Sequence, residues 1–419
     1  MSLTHVVAAC TLFAAVVLSL APRARAENWP AWRGSTGQGV SSEKNLPTKW
    51  STTENVKWKI KLPDTGNSTP IVWGDKIFLT QATDKGKKRS LICLDRKDGS
   101  KLWEKTVTFD GKEKIHGTNT YCAASPVTDG ERIVVFHGSA GMYCYDFTGK
   151  ELWKKEFGPC DHIWGSAASP VIYKNLVIHN FGPHENVFLI ALDKTTGKEV
   201  WKNDEAKASD YFGSWSTPVI AKVGDRTELV MSWPAVVKSY EPETGKLLWS
   251  CKGLEKEGGT DRLTYTSALV SDKYVFAAAG FGGAAIGVKT GGTGDVTDSH
   301  RLFRAAKNPQ RIGSGVIIGD HAFVVNEPSI VCIDLKTGKQ QWEEKVAGGS
   351  WSSIVHTDGR LYLTCQNGET RVFAPNTKEY DEIARNKLDG ATTRASIVPS
   401  DGELFIRTYT HLWCISEKK

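Results

Sequence analysis

The stretch LDKTTGKEVW, residues 192–201, combines a tight turn with a tryptophan, and related stretches recur along the chain. They read LDRKDGSKLW at 94–103, YEPETGKLLW at 240–249, IDLKTGKQQW at 333–342 and, one residue shorter, YDFTGKELW at 145–153. In such a turn the acidic side chain can cap backbone N–H groups, and glycine takes the left-handed conformation that closes the hairpin. The tryptophan supplies a large apolar area. We therefore expect the turn to form the outer hairpin of a sheet and the tryptophan to dock that sheet on the next one.

A second repeated element precedes each turn, as in STPIVWGDKIFL (68–79) and ASPVIYKNLVIH (168–179). Eight copies lie about 47 residues apart, a period typical of repeat arrays and propellers. Each copy reads as four short strands rich in β-branched and aromatic residues, and no helical periodicity interrupts them. The proline of the motif, or the residue that we align with it, is Pro70, Pro126, Pro170, Pro218, Ala268, Gly315, Ser353 and Ser396.

The two ends of the chain complement each other. The last copy stops after HLWCIS (411–416) and has no tryptophan strand, whereas NVKWKIKL (55–62) is a tryptophan strand with no strands before it. Because a closed ring protects sheet edges best, we predict an all-β, eight-bladed propeller of four-stranded antiparallel blades over residues 56–419. The N-terminal strand should complete the last blade, and residues 27–55 should form an arm covering one face. The predicted blade-docking residues are Trp58, Trp103, Trp153, Trp201, Trp249, Phe303 and Trp342.

The first 26 residues have the features of a signal peptide. An apolar stretch covers residues 6–21, and the sequence Ala-Arg-Ala ends at Ala26, where we expect cleavage. An uncleaved anchor is the alternative, because the residues before the apolar stretch lack Lys and Arg. We expect a periplasmic or secreted protein with no spanning helix after cleavage, and a monomer.

The charge of the chain is mild and evenly spread. The formal net charge of +6 falls to +4 when residues 1–26 are removed, because that segment contains Arg23 and Arg25 but no acid. Many lysines follow the glycine of the repeated turn, which distributes them around the molecule. A nucleic-acid groove needs a concentrated basic stripe, so nucleic acid is not an expected partner.

These repeats resemble a known family. The Ser/Thr-Pro strand and the D-x-x-T-G-x-x-x-W turn are similar to the propeller repeat of the pyrroloquinoline quinone (PQQ) enzymes, in the quinoprotein alcohol dehydrogenase-like superfamily. They also resemble the propeller of the outer-membrane β-barrel assembly lipoprotein. The opening NWPAWRG (28–34) and the insert GGTGDVTDSH (291–300) resemble a group of exported PQQ-like propellers of unassigned activity. The resemblance covers roughly residues 56–416 and implies the fold, whereas one fold hosts many activities.

Three classes of function follow. The leading one is an exported, non-catalytic binding or scaffold propeller that recruits a protein or glycan partner and needs no cofactor. The second is a PQQ- and calcium-dependent dehydrogenase of alcohols or sugars, and the third is a purely structural envelope component. In the dehydrogenases a disulfide between adjacent cysteines lies beside the quinone, and this chain has no adjacent cysteine pair. Its residues also match no calcium-ligand motif of that family, which disfavours the enzyme.

The segments that lead into each first strand should meet around one mouth of the channel, and they are polar and aromatic. Such convergence is what a pocket for a polar ligand needs. The alternative is that the rings pack between blades and the charges satisfy strand ends. Arginine and histidine near the mouth would favour an anionic or polyhydroxyl ligand. The candidate binding residues are His116, Asn119, Trp164, Trp215, Tyr265, Arg311, Trp351 and Arg394.

The cysteines and one acidic insert allow further sites. Four of the nine cysteines share one repeat position, where a small buried strand residue is expected: Cys93, Cys144, Cys332 and Cys414. Cys122 and Cys160 lie in connections to adjacent copies, so a disulfide between blades two and three is allowed. Asp295 and Asp298 are candidate calcium ligands. A long hairpin is the favoured interpretation of their insert, because two carboxylates fall short of the six to eight oxygens that calcium takes.

Overall fold

Eight four-stranded antiparallel blades form a ring, which confirms the predicted eight-bladed propeller, and one blade also pairs with a short additional strand. The computed structural model describes residues 27–183, 186–205, 212–255, 262–280, 283–307 and 312–417. The predicted signal segment, residues 1–26, lies outside these residues.

The strands of each blade follow one another in the chain from the first strand outward, except in blade eight. The strands of blades one to four are Ile71–Trp73, Lys76–Thr83, Lys88–Asp95 and Lys101–Thr108; Val127–Thr128, Arg132–Phe136, Met142–Asp146 and Glu151–Lys155; Val171–Tyr173, Leu176–Phe181, Phe188–Asp193 and Glu199–Asp204; Val219–Val223, Arg226–Trp233, Val236–Tyr240 and Leu247–Lys252. Those of blades five to eight are Leu269–Val270, Tyr274–Ala278, Ala285–Lys289 and Arg301–Ala305; Val316–Ile318, His321–Asn326, Ser329–Asp334 and Gln340–Lys345; Val355–Thr357, Arg360–Thr364, Glu369–Ala374 and Asp381–Lys387; Val398–Ser400, Glu403–Arg407, His411–Ser416 and Val56–Lys61. A short parallel pair, Phe212–Ser214 with Arg262–Thr264, lies outside the blades.

The N-terminal strand closes the ring as predicted. Val56–Lys61 pairs antiparallel with His411–Ser416, so that Trp58 lies opposite Cys414. The two chain ends therefore share blade eight, and every blade has four strands.

Each docking tryptophan except Trp249 packs on the turn of the following blade. Trp153 Nε1 donates to the carbonyl of Lys194 at 2.8 Å. A Cβ on Gly197, whose φ is +70°, would lie 2.8 Å from that indole, so the turn needs glycine both for its conformation and for the close approach. On the neighbouring strand the residue opposite Trp153 is Cys144, which leaves room for the ring. Four other indoles donate to the next blade in the same way: Trp58 to Arg96, Trp103 to Phe147, Trp201 to Pro242, and Trp342 to Asn376.

Blade four departs from this pattern because the turn of blade five is replaced by the insert. Trp249 Nε1 donates to the buried carboxylate of Glu228 at 2.7 Å within its own blade. The insert is not the long hairpin that the sequence favoured. Gly294–Asp295 pairs in parallel with the outermost strand of blade four at Trp249 and Ser250, and a one-turn helix, Thr297–His300, follows. The insert thus takes the place of the missing turn as the cover of Trp249.

A closed ring of hydrogen bonds surrounds the axis. The residue before each first strand's proline position donates its backbone N–H to the hydroxyl of the equivalent residue in the next blade, at 2.9–3.2 Å. The members of this hydroxyl ring are Thr69, Ser125, Ser169, Thr217, Ser267, Ser314, Ser353 and Ser396. The ring corrects the sequence alignment by one residue in the last two copies, where Ile354 and Ile397 take the proline position.

Residues 27–41 cross the face of the ring at which the first strands end. Trp29 forms a bridge with Val72 of blade one, and Val40 forms one with His356 of blade seven. Arg33 is buried and donates to the carbonyls of Ser314 and Gly315. Among the described residues, no helix has the length and apolar character needed to span a bilayer.

Cys122 and Cys160 are buried free thiols, so the disulfide that their spacing allows is not formed. The Cys122 sulfur lies 3.7 Å from the carbonyl of Thr65. Cys160 lies in a different environment, the apolar cluster that contains Phe136 and Trp153, where burial raises its pKa. Each thiol is accommodated as a small buried group.

Candidate functional site

The lead-in segments of the blades surround one cavity of about 420 Å³ on the channel side of the hydroxyl ring. It includes seven of the eight candidate binding residues, and the eighth, Arg311, lies outside the described residues. The lining is Trp32, Asn67, His116, Thr118, Asn119, Ala123, Trp164, Ala167, Ser169, Trp215, Thr217, Tyr265, Ile312, Trp351 and Arg394. The structure therefore brings together residues that are far apart in the sequence, from Trp32 to Arg394.

Aromatic rings held by their neighbours form one wall. The ring of His116, exposed at the rim, lies over Trp164 with centroids 4.5 Å apart. Trp215 donates its Nε1 hydrogen to the carbonyl of Gly165 at 2.7 Å, and its ring centroid is 5.5 Å from that of Tyr265. Because the buried N–H is satisfied, the indole presents an ordered apolar face.

Arg394 and Trp351 form a second part of the lining. The guanidinium carbon of Arg394 lies 4.1 Å from the centroid of Trp351. Its Nε donates to Gln366 at 3.2 Å, and Nη1 donates to the carbonyl of Thr118 across the mouth. Within the described part of the chain, Nη2 has no hydrogen-bond partner, so this donor remains for a ligand. Partial burial lowers the pKa of Arg394 from its usual value.

A hydrogen bond to the carboxylate of Glu327 orients Trp351, and Glu327 is not part of the cavity lining. The indole Nε1 donates to Glu327 at 2.7 Å, and the other oxygen of Glu327 accepts from Gln366 at 2.9 Å. Gln366 thus lies between Glu327 and Arg394. This arrangement orders the stacked arginine without neutralising it by direct contact.

Two asparagines supply amide groups. Asn119 donates to the carbonyls of Trp164 and Ser166 at 2.9 and 3.2 Å, which joins the lead-in segments of two blades. The side-chain oxygen of Asn67 is buried and accepts no hydrogen bond within the described residues. A buried acceptor without a donor is costly, so this oxygen marks a locally unsatisfied part of the lining.

The floor carries positive charge. Trp32, from the N-terminal segment, closes the cavity, and the Arg33 guanidinium lies 5.8 Å from its ring centroid. Burial lowers the pKa of Arg33 to about 9, which leaves it protonated at pH 7. Arg407 is also buried and donates to Ser68, Thr80 and Gln81. Both guanidiniums contact neutral acceptors, so their charge adds to the potential felt near the ring.

The donor set does not fit calcium. No carboxylate occurs among the described lining residues, which offer only amide, hydroxyl and ring groups, whereas calcium is bound by six to eight oxygens that usually include carboxylates. Across the described ranges, no three His, Cys, Asp or Glu side chains are grouped to hold a metal ion. Asp295 accepts from Thr297 and lies 3.4 Å from Lys252, on the outer side of blade four. The described lining therefore lacks the carboxylate ligands that a calcium-dependent reaction would need.

Sequence reasoning missed several lining residues. Asn67 lies in the lead-in segment of blade one, shortly before its first strand. The rule that selected the lead-in residues of the other blades would therefore have selected Asn67 as well. Ser169 and Thr217 belong to the hydroxyl ring, whose partners become visible only when the blades are placed around the axis. Trp32 was expected to cover a face of the propeller, and it also reaches the cavity.

Comparison with known proteins identifies relatives of the fold. Residues 87–344, more than half of the chain, match the family described as outer membrane protein assembly factor BamB. No curated protein matches the sequence at a significant level.

Solved structures of both scaffold and enzyme propellers are similar. BamB from Moraxella catarrhalis has a TM-score of 0.59 and 16% identity, covering 85% of this chain and 98% of its own. A europium-containing methanol dehydrogenase has a TM-score of 0.66 and 11% identity, covering 93% of this chain and 98% of its own. Quinohemoprotein alcohol dehydrogenase from Comamonas testosteroni has a TM-score of 0.66 and 10% identity, covering 94% of this chain and 81% of its own. At these identities the similarity shows the fold alone.

Proposed function

The chain belongs to the family of the outer membrane protein assembly factor BamB, and on that premise we propose that it is a non-catalytic binding propeller of the cell envelope. Its central cavity takes an acidic sugar carried by a glycan partner. The observation that carries this proposal is the composition of the lining, which joins four tryptophans and a tyrosine to one arginine and has no carboxylate among its described members.

The geometry of the lining suits a sugar acid. The indole faces of Trp164 and Trp215 can stack on the apolar face of a sugar ring, and the amide side chains of Asn67 and Asn119 lie in the same lining. The Nη2 group of Arg394 donates to a carboxylate, and a charge-assisted hydrogen bond of this kind is stronger than a neutral one. A neutral sugar would offer Nη2 only an uncharged acceptor, which forms a weaker hydrogen bond.

The proposal includes an envelope location for the protein. Cleavage after Ala26 would release a mature chain beginning at Glu27, in the periplasm or outside the cell, acting as a monomer. The family assignment supports an envelope location. A protein partner could dock on the outer surfaces of the blades, but the cavity itself is suited to a small polar ring.

Replacing Arg394 by glutamine tests the site. We expect the affinity for D-galacturonate, measured by calorimetry, to fall about 10- to 100-fold, because one hydrogen bond to a charged group is lost. The melting temperature should change little, since Arg394 is half-buried and its neighbours keep other partners.

Arg385→Gln is the matched control, because Arg385 is exposed on the outermost strand of blade seven and its ion pair is with Glu382 of the same strand. Its affinity for galacturonate should equal that of the wild type. If Arg394→Gln melts much lower and still binds galacturonate normally, the residue serves the fold and the proposal is wrong.

A further inference from the structure

A row of basic side chains leads from the surface into the cavity. Residues 112–116 form no regular secondary structure, and their exposure alternates: Lys112, Lys114 and His116 are exposed, whereas Glu113 and Ile115 are partly buried. The alternation indicates that the two lysines and His116 share the solvent side of the segment. His116 is the cavity residue at the end of this row.

The segment is held rigidly by a buried ion pair. Arg89 donates to Glu113 at 3.0 Å, and both side chains are almost fully buried. The rings of Phe109 and Tyr121 lie 4.9 and 5.1 Å from the Arg89 guanidinium. Glu113 also accepts from the backbone of Ser139 at 2.8 Å. The exposed lysines are thus presented by a preorganised backbone, which reduces the entropy lost when they bind.

The turn between the second and third strands of blade one, residues 84–87, extends the row and is called the blade-one turn below. Phe109 N–H donates to the carbonyl of Lys87 at 2.8 Å, so this turn runs beside the start of the segment. The exposed lysines of the turn and of the residue after it are Lys85, Lys87 and Lys88. Three exposed carboxylates, Asp84, Asp110 and Asp161, stand against five lysines, and Asp161 is already paired with Lys114 at 3.2 Å. The surface between the turn and His116 therefore carries net positive charge.

We propose that the glycan is a chain of acidic sugars, with one unit in the cavity and the following units along the row from His116 through Lys114 and Lys112 to the lysines of the blade-one turn. This inference rests on the proposed sugar site. It adds the direction in which the glycan chain leaves the cavity, and it requires a ligand of more than one sugar unit. A linear polyanion can pair with successive lysines of the row, whereas a monomer reaches only the cavity. Exposed charge contacts are individually weak, so the gain accumulates over several units.

The test compares galacturonate with its hexamer. Wild-type protein should bind hexagalacturonate roughly 10-fold more tightly than the monomer, and the gain should shrink as salt is raised. The fully methyl-esterified hexamer, neutral but equally long, should show no gain. In the variant Lys87→Ser/Lys112→Ser/Lys114→Ser, monomer binding should be unchanged and most of the gain should be lost.

The matched control is Lys150→Ser/Lys198→Ser/Lys246→Ser, which removes the same charge from exposed positions after the repeated turns. It should keep the full gain of the hexamer. The inference is overturned, with the sugar site intact, if the hexamer binds no better than the monomer or if both triple variants behave alike. If hexaglutamate binds as tightly as hexagalacturonate, the ligand of the row is an acidic peptide and not a glycan. If only the row variant lowers hexamer affinity and Arg394→Gln has no effect, the proposed cavity site fails instead.

Discussion

Replacing Trp201 by alanine is expected to lower the free energy of unfolding by about 3–5 kcal/mol, as large-to-small changes in a packed core do. The indole is 9% exposed and lies between blades three and four, where its Nε1 donates to Pro242 at 3.0 Å. A Cβ on Gly245 would lie 2.6 Å from its ring, which shows how closely the next turn approaches. Truncation would leave a cavity and an unpaired carbonyl in the same interface. Urea unfolding followed by circular dichroism measures the loss.

Val200→Ala is the control for this variant, since Val200 precedes Trp201 on the same strand and is 50% exposed. It should change the free energy of unfolding by less than about 1 kcal/mol. A loss below that value for Trp201→Ala would contradict the docking role of the repeated tryptophan.

Acid is expected to destabilise the protein well above the range in which carboxylates titrate. His137 and His179 are fully enclosed in blades two and three, and burial lowers the pKa of each from 6.5 to about 3. Below pH 6.5 the unfolded chain therefore binds protons at these positions and the native chain does not. Stability must then fall as the pH falls, by roughly 2–3 kcal/mol per histidine between pH 6.5 and 4.5. The loss ends only as the pH approaches the native pKa values.

His179→Leu should remove about half of this dependence, because leucine fills the apolar site beside Phe136 without titrating. The free energy of unfolding would be measured in urea at several pH values between 7.5 and 4.5. His300→Leu, near the surface in the insert, controls for the loss of a histidine as such. A wild-type stability that is flat over this range, or a His179→Leu variant with the wild-type slope, would show that the buried histidines do not account for the effect.

The repeat was enough to predict the architecture, because the residues that form each turn also form the contact between neighbouring blades. The turn, its glycine and its tryptophan each specify a contact with the next blade, and the unmatched strand around Trp58 specified the closure. The alignment slipped by one residue at Ser353 and Ser396, since without proline the hydroxyl that joins the ring cannot be told from its neighbours in sequence. The insert was misjudged for a related reason: Gly294–Asp295 gains its partner from blade four, and a parallel pairing to another repeat leaves no local pattern.

The candidate site was predictable in position but not in detail. The common direction of the lead-in segments was enough to predict that residues from His116 to Arg394 would approach one mouth. Which atoms remain free depends on side-chain packing, as in the unpaired oxygen of Asn67 and the Nη2 group of Arg394. The spacing of Cys122 and Cys160 allowed a disulfide, but the two sulfurs lie in separate environments that no sequence distance reveals.

The most direct test of the account is a crystal structure of the protein with a galacturonate oligomer. We expect one sugar ring in the central cavity, with its carboxylate within hydrogen-bonding distance of the Arg394 guanidinium and its face against Trp164 or Trp215. A saturated crystal in which this cavity holds no sugar, while the oligomer occupies another surface, would show that the cavity is not the binding site.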